Sequence, residues 1–92
     1  MSLSAVVLLK VDRGSASEVA QSIVDLEGVD KVFSVAGRFD LVVNVTVKDM
    51  EELSRISNEC FDKIQKISTV ETLVSMKIFS KKLLEEGFSV GL

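Results

Sequence analysis

Histidine, proline, tryptophan and tyrosine are all absent from the 92 residues, and cysteine occurs once, at Cys60. Without an imidazole there is no Ser-His or Cys-His pair, so the common nucleophile–base chemistries are excluded and no catalytic residue is expected. A single cysteine cannot close an intramolecular disulfide and fits a reducing compartment. Zero His and one Cys leave only carboxylates as ligands, so we expect no metal, and no zinc in particular. The chain also lacks a P-loop and a GxGxxG segment, and no cofactor is expected. Basic clusters are missing too. Eleven Lys and Arg are scattered among fourteen Asp and Glu, for a net charge of −3 and a pI near 4.9. Phosphate contacts need a basic patch, so no direct nucleic-acid binding is expected. The longest apolar run, Ala5 to Leu9, is far short of the ~20 residues that span a bilayer. Met1-Ser2-Leu3-Ser4 carries no basic region ahead of an apolar stretch, unlike a secretory signal. These absences together predict a cytoplasmic protein with no membrane association.

What is present in quantity is apolar surface. Hydrophobic residues make up 47% of the chain and the mean hydropathy is +0.34. The length predicts one domain over residues 1–92. A chain of this size buries only roughly 60–65% of the surface exposed by its unfolded form, so a monomer would be marginal. The apolar excess therefore points to contacts between subunits.

Ala5 to Val11 is a short, largely apolar, β-branched run and reads as a strand. Asp12-Arg13-Gly14 breaks it. Ser15-Ala16-Ser17-Glu18 fits a capping box, with the Ser15 hydroxyl accepting from the Glu18 amide. Val19, Ile23 and Leu26 then form one stripe of a helix that Gly28 is placed to end. Val29 to Ala36 and Leu41 to Val47 read as two strands of a hairpin, joined through Gly37-Arg38-Phe39-Asp40. Asp49-Met50-Glu51-Glu52 is a second capping box, opening a helix with the stripe Leu53, Ile56, Cys60 and Ile64. On that stripe Cys60 reads as a small core residue. Val70 to Phe79 reads as a last strand, Ser80 to Glu86 as a short helix, and the tail to Leu92 shows no pattern.

The order is β-α-β-β-α-β, and its halves echo each other. That repetition is what an α+β, ferredoxin-like split βαβ fold requires. Right-handed crossovers place both helices on one face of a four-stranded antiparallel sheet, with the core at about residues 5–79. Strand alternation then assigns faces. Val7, Leu9 and Val11, with Leu41, Val43, Val45 and Val47, turn to the helices. Val6, Leu8 and Lys10, with Val42, Asn44 and Thr46, turn away. This second face is too apolar for free solvent and too polar for a core, which predicts an obligate dimer at least.

Most carboxylates have structural readings. Glu18, Glu51 and Glu52 sit in first turns of helices, where they offset the macrodipole. The Gly37-to-Asp40 turn is different, because a hairpin needs only turn formers, yet here an arginine and an aromatic intervene. Gly37 can adopt a backbone closed to other residues and expose its N–H. Asp40 can accept from a ligand ammonium or cap the turn through its own backbone. Both readings stay open on spacing alone.

At this turn the sequence resembles the effector-binding (RAM) domain of the Lrp/AsnC regulator family. The matching features are Val35-Ala36-Gly37-Arg38-Phe39-Asp40, the following Leu41 to Val45, Asp49-Met50-Glu51-Glu52-Leu53, Ile67 to Thr72, and Gly28-Val29. The resemblance extends from about Ala5 to Phe79. Regulators of the family carry a helix-turn-helix domain ahead of this one, and here only four residues precede the first strand. The chain is therefore similar to a stand-alone RAM module. The resemblance implies dimers through facing sheets, rings of dimers such as an octamer or decamer, and an amino acid or related effector bound between dimers. Carried onto this chain, Ala36, Gly37, Arg38 and Phe39 would offer backbone groups, Asp40 a carboxylate, and Ser68, Thr69 and Thr72 hydroxyls. It further implies action through partners, for example full-length regulators.

Two other classes share the strand order. A dimeric ferredoxin-like barrel enzyme would normally use a histidine or buried polar aromatics, which this chain lacks. An ACT-type regulatory domain also binds amino acids, but its subunits often join sheets side by side. The Gly37-to-Asp40 turn favours the RAM reading.

Overall fold

A computed structural model describes residues 2–82. The elements run β1 (Leu3–Val11), α1 (Ala16–Ile23), β2 (Val29–Ser34), β3 (Leu41–Val47), α2 (Met50–Ile56), a π-helical turn (Ser57–Phe61) and β4 (Ile67–Val74). The four strands form one antiparallel sheet in the order β2-β3-β1-β4, with β1 and β3 at the centre. This is the expected ferredoxin-like α+β architecture.

Strand alternation decides the layering. Ala5, Val7 and Leu9 of β1 and Leu41, Val43, Val45 and Val47 of β3 are 0–3% exposed. They pack with Val19 and Ile23 of α1 and with Leu53 and Ile56 of α2. The residues between them, Val6, Leu8, Val42 and Asn44, are only half-buried, on the uncovered side. Both faces are phased as the sequence predicts.

The helix starts differ from each other. At α2 the Asp49 carboxylate accepts from the Glu52 amide at 2.9 Å, and the Glu52 carboxylate accepts from the Lys48 amide at 3.1 Å. The expected box at Ser15 does not form. Ser15 has φ −102° and ψ 0°, and its side chain makes no capping bond. Its amide donates to the Asp12 carbonyl at 2.9 Å, tying it into the turn after β1. Glu18 reaches away from the helix end to the Lys66 ammonium, 2.8 and 2.9 Å from its two oxygens.

α1 also stops earlier than its stripe suggests, at Ile23, and two turns carry the chain on to Gly28. Gly28 has φ +96°, and a Cβ there would stand 2.9 Å from Ile56 Cδ1 and 3.3 Å from Val47 Cγ1. Its carbonyl accepts from the Thr46 amide at 2.8 Å. The residue is glycine because α2 and β3 close directly over the turn.

The stripe of α2 gains a member that the spacing missed. The π-helical turn, closed by the Asp62 amide on the Ser57 carbonyl at 2.9 Å, adds one residue to the last turn. Five positions after Ile56, Phe61 enters the core and is fully buried. Cys60 belongs to the turn's backbone, and its side chain lies outside the described residues.

β4 is shifted relative to its expected range, beginning at Ile67 rather than Val70 and ending at Val74 rather than Phe79. A bulge between Lys10 and Val11 lets Ile67 pair with Val11. At the far end the Ser75 amide bonds the Ser4 carbonyl at 2.8 Å, near the start of β1. The bonding to β1 stops there, and Met76 is 95% exposed. Lys81 and Lys82 begin a helical turn. The remainder of the expected terminal helix, and the tail, fall outside the described residues.

Candidate functional site

The hairpin turn and the start of β4 lie at the same end of the sheet, because both flank the C-terminal end of β1. Leu9 pairs with Leu41 on one side and with Val70 on the other. The last two residues of β1 tie the two together. The Val11 amide donates to a carboxylate oxygen of Asp40 at 2.9 Å. The Lys10 carbonyl accepts from the Ser68 hydroxyl at 3.2 Å. Two backbone bonds complete the arrangement: the Asp40 amide donates to the Leu9 carbonyl at 2.8 Å, and the Val35 amide to the Asp40 carbonyl at 3.0 Å.

Asp40 is thus engaged structurally by a group 29 residues away in sequence. Its carboxylate continues the β1–β3 ladder past the point where the backbone leaves it. A carboxylate offers about four acceptor positions, so one amide bond leaves it able to accept from a ligand as well. Gly37 has φ +154°, a region that side-chain-bearing residues rarely adopt, and a Cβ there would meet nothing within 4 Å. Ala36, Gly37 and Arg38 are exposed, while Phe39 and Asp40 are half-buried. The Arg38 guanidinium lies 5.8 Å from the centroid of the Phe39 ring, a spacing at which cation and π-face attract.

Of the three hydroxyls expected at the site, Ser68 and Thr69 stand beside the end of β1, with Thr69 paired to Lys10. Thr72 does not join them. It pairs with Val7, a residue of the helix-covered face, so its side chain belongs to the opposite side of the sheet from Thr69. Sequence spacing within β4 separates the three hydroxyls by only a few residues. Strand alternation is what divides Thr69 from Thr72, which stand three residues apart on β4.

Two recesses lie elsewhere. One, of about 860 Å³, is an open groove beside α2 lined by charged side chains such as Glu27, Lys48, Glu51 and Arg55. The other, of about 300 Å³, lies on the uncovered sheet face near Ser4, Asp30, Asn44, Thr46 and Ser75, at the end away from the hairpin turn. Its polar groups partly satisfy each other, since the Thr46 hydroxyl donates to Asp30 at 2.6 Å. Size favours the first and chemistry neither. The groove by α2 is a solvated helix surface, and neither recess touches the turn.

The uncovered face is the other notable surface. Register places Phe33, Val42, Leu8 and Glu71 in one row, and Lys31, Asn44, Val6 and Leu73 in the next. Phe33 and Leu73, on the outer strands, are 46% and 49% exposed. The Lys31 ammonium lies 5.4 Å from the Phe33 ring centroid. Among the described residues no group of three potential metal ligands occurs, and no helix is long and apolar enough to cross a membrane.

Comparison with known proteins agrees with this architecture. The family model for the Lrp/AsnC ligand binding domain matches residues 4–83. The HTH-type transcriptional regulator FL11 of Pyrococcus abyssi is 35% identical over 79 residues, which is 83% of this chain and 50% of that protein. The chain spans about half the length of the curated relatives it matches. Among solved structures, TTHA0845 from Thermus thermophilus superposes with a TM-score of 0.81 at 28% identity, over 86% of this chain and 99% of that one. The Neisseria meningitidis transcriptional regulator NMB0573, solved as a complex with L-Met, shares the fold with a TM-score of 0.76. Its identity is 18%, over 85% of this chain and 52% of that one. The chain belongs to the Lrp/AsnC family, as a ligand binding domain of the kind found in its regulators.

Proposed function

We propose that this domain is a non-enzymatic module that binds a small amino-acid effector at the hairpin-turn end of the sheet and self-associates through the uncovered sheet face. The observation that carries the reading is the joining of two distant segments at one place. The Ala36–Asp40 turn and Ser68–Thr69 are held to the end of β1 by side-chain bonds spanning 29 and 58 residues. Exposed backbone at Gly37, the remaining acceptor capacity of Asp40 and two hydroxyls there suit a small zwitterion. The Asp40 carboxylate takes the ammonium, and backbone and hydroxyl groups complete the contacts.

The turn end is open in a single chain, so an effector held there needs a second surface, which association supplies. The uncovered face suits that role. At about 25 cal/mol per Å² of apolar area, covering Phe33, Val42, Leu8, Val6 and Leu73 with a second copy contributes many kcal/mol. Higher rings, octameric or decameric, follow if dimers meet through their turn ends. The L-Met complex of the Neisseria regulator supports an amino acid as the effector class. In this reading the module works in the cytoplasm and passes its occupancy to transcription through assembly with longer regulators of the family.

Calorimetric titration of the assembled protein with the standard amino acids tests the reading, alongside native mass spectrometry for stoichiometry and retained ligand. Heat from at least one amino acid is expected, and silence from all of them overturns the proposal. Asp40→Ala is expected to lose the bond to the Val11 amide, at about 1–2 kcal/mol of stability, and to remain folded while losing the effector. Normal binding by that variant would return Asp40 to a purely structural role.

A further inference from the structure

Exposed large hydrophobics concentrate where β4 leaves the sheet. Leu73 and Val74 are followed by Met76, Ile78 and Phe79, which are 95%, 57% and 71% exposed. A run of such side chains marks a contact surface rather than a solvated segment. Lysines lie among and just after them, at Lys77, Lys81 and Lys82, all exposed. The segment is thus apolar and cationic, on a chain whose net charge is −3.

Its starting point is fixed. The Ser75 amide bonds the Ser4 carbonyl, and both residues line the recess of about 300 Å³ together with Asp30, Asn44 and Thr46. Asp30 accepts from the Thr46 hydroxyl at 2.6 Å but has no cation. Lys31, its neighbour in sequence, lies over the Phe33 ring instead. The ion pairs among the described residues are Arg55–Glu59 and Lys66–Glu18, so Lys77 has no carboxylate either. Within one chain the two are held apart. Asp30 is on β2 and Ser75 follows β4, the two outer strands, three strand spacings or about 14 Å from each other.

A second sheet packed face to face lies only about 10 Å away. With a two-fold axis running along the strands, β2 of the second copy lies over β4, with like ends together. Its Asp30 then stands about 10 Å from Ser75. Two extended residues span roughly 6–7 Å, and the four-carbon stem of a lysine covers the rest.

We propose that residues 76–79 form an exchanged arm, in which Lys77 of each copy enters the recess of the other and pairs with its Asp30. This rests on the reading of the uncovered face as the surface of self-association. A lysine ammonium has three donors and no acceptor, and the recess offers oxygens of Asp30, Asn44 and Thr46. Met76, Ile78 and Phe79 add apolar area on either side of the pair. The contact is reciprocal, as a two-fold interface requires. Its main effect is to fix the alignment of the two sheets, which an apolar face alone leaves loosely specified.

The test compares wild type, Lys77→Glu, Asp30→Lys and the double variant in a sedimentation dilution series. Both positions are exposed, so circular dichroism should stay unchanged. Each single variant sets like charges together twice per pair and should dissociate at roughly 10–100-fold higher concentration than wild type. Mixed in equal amounts, the two single variants should associate like wild type, because every arm then meets an opposite charge in the other copy. The double variant should recover as well. Recovery of the double variant without recovery in the mixture would place the pair within one chain and overturn the exchange. Single variants that associate like wild type overturn the pairing of Lys77 with Asp30 while leaving the face as the contact surface. A wild type that is monomeric at every concentration overturns both.

Discussion

Val42 and Val43 are neighbours on one strand, with the same side chain and opposite surroundings. Val43 is fully buried beneath the helices, whereas Val42 is half-buried in a face that carries Asn44, Thr46 and Lys31 within two rows. The helix side is closed by the chain itself and contains no polar side chain on β1 or β3. The other side mixes aliphatic, aromatic and small polar groups at a density that suits a contact made and exchanged between subunits. On the proposed reading one sheet serves two purposes, and the phase of a strand decides which purpose a residue serves.

The largest expected effect sets those faces directly against each other. Val43→Asp places an unpaired carboxylate in the core and should cost more than about 4 kcal/mol. That is comparable to the stability of a small domain, so circular dichroism should report an unfolded chain. Val42→Asp should leave the fold intact and instead dissociate the assembly, as sedimentation would show. If both variants unfold, or if Val42→Asp keeps its oligomeric state, the division between the faces is wrong.

Phe61→Ala sharpens the comparison from the helix side. Emptying that fully buried site should cost about 3–5 kcal/mol in denaturant unfolding. Any effect on association should be explained by lost stability alone. A cost under about 1 kcal/mol would mean that the π-helical turn does not commit Phe61 to the core.

The smallest effects belong to the helix starts, which touch neither purpose. Asp49→Ala removes a formed cap and should cost about 1 kcal/mol. Ser15→Ala, where no capping bond exists, should change stability by less than about 0.5 kcal/mol. Equal costs for the two would show that Ser15 caps α1 after all.

Much of this was legible in the chain because it depends on short-range pattern. The two-residue alternation along β1 and β3 assigns the faces. Asp49 and Glu52 stand three apart, where a cap must stand, and the Gly37-to-Asp40 turn announces itself by its composition. The misreadings share a cause. Ser15 and Glu18 have the same spacing as Asp49 and Glu52, yet Lys66, 48 residues away, takes the Glu18 carboxylate. Regular helical periodicity passed over Phe61, which the π-helical turn carries into the core. Hydrophobicity carried β4 on to Phe79, but its bonding to β1 ends with the Ser75 amide on the Ser4 carbonyl.

By itself, then, the sequence determined the order of elements, the two faces of the sheet and the lack of any imidazole chemistry. Each of these follows from local chemistry or from residue types the chain does not contain. The tertiary structure alone decided which helix end is capped, where β4 begins and ends, and which backbone amide Asp40 meets. Those outcomes depend on register between strands far apart in the chain. Pairing with β1 sets Thr69 beside Lys10, and the bulge at Lys10/Val11 brings Ile67 opposite Val11.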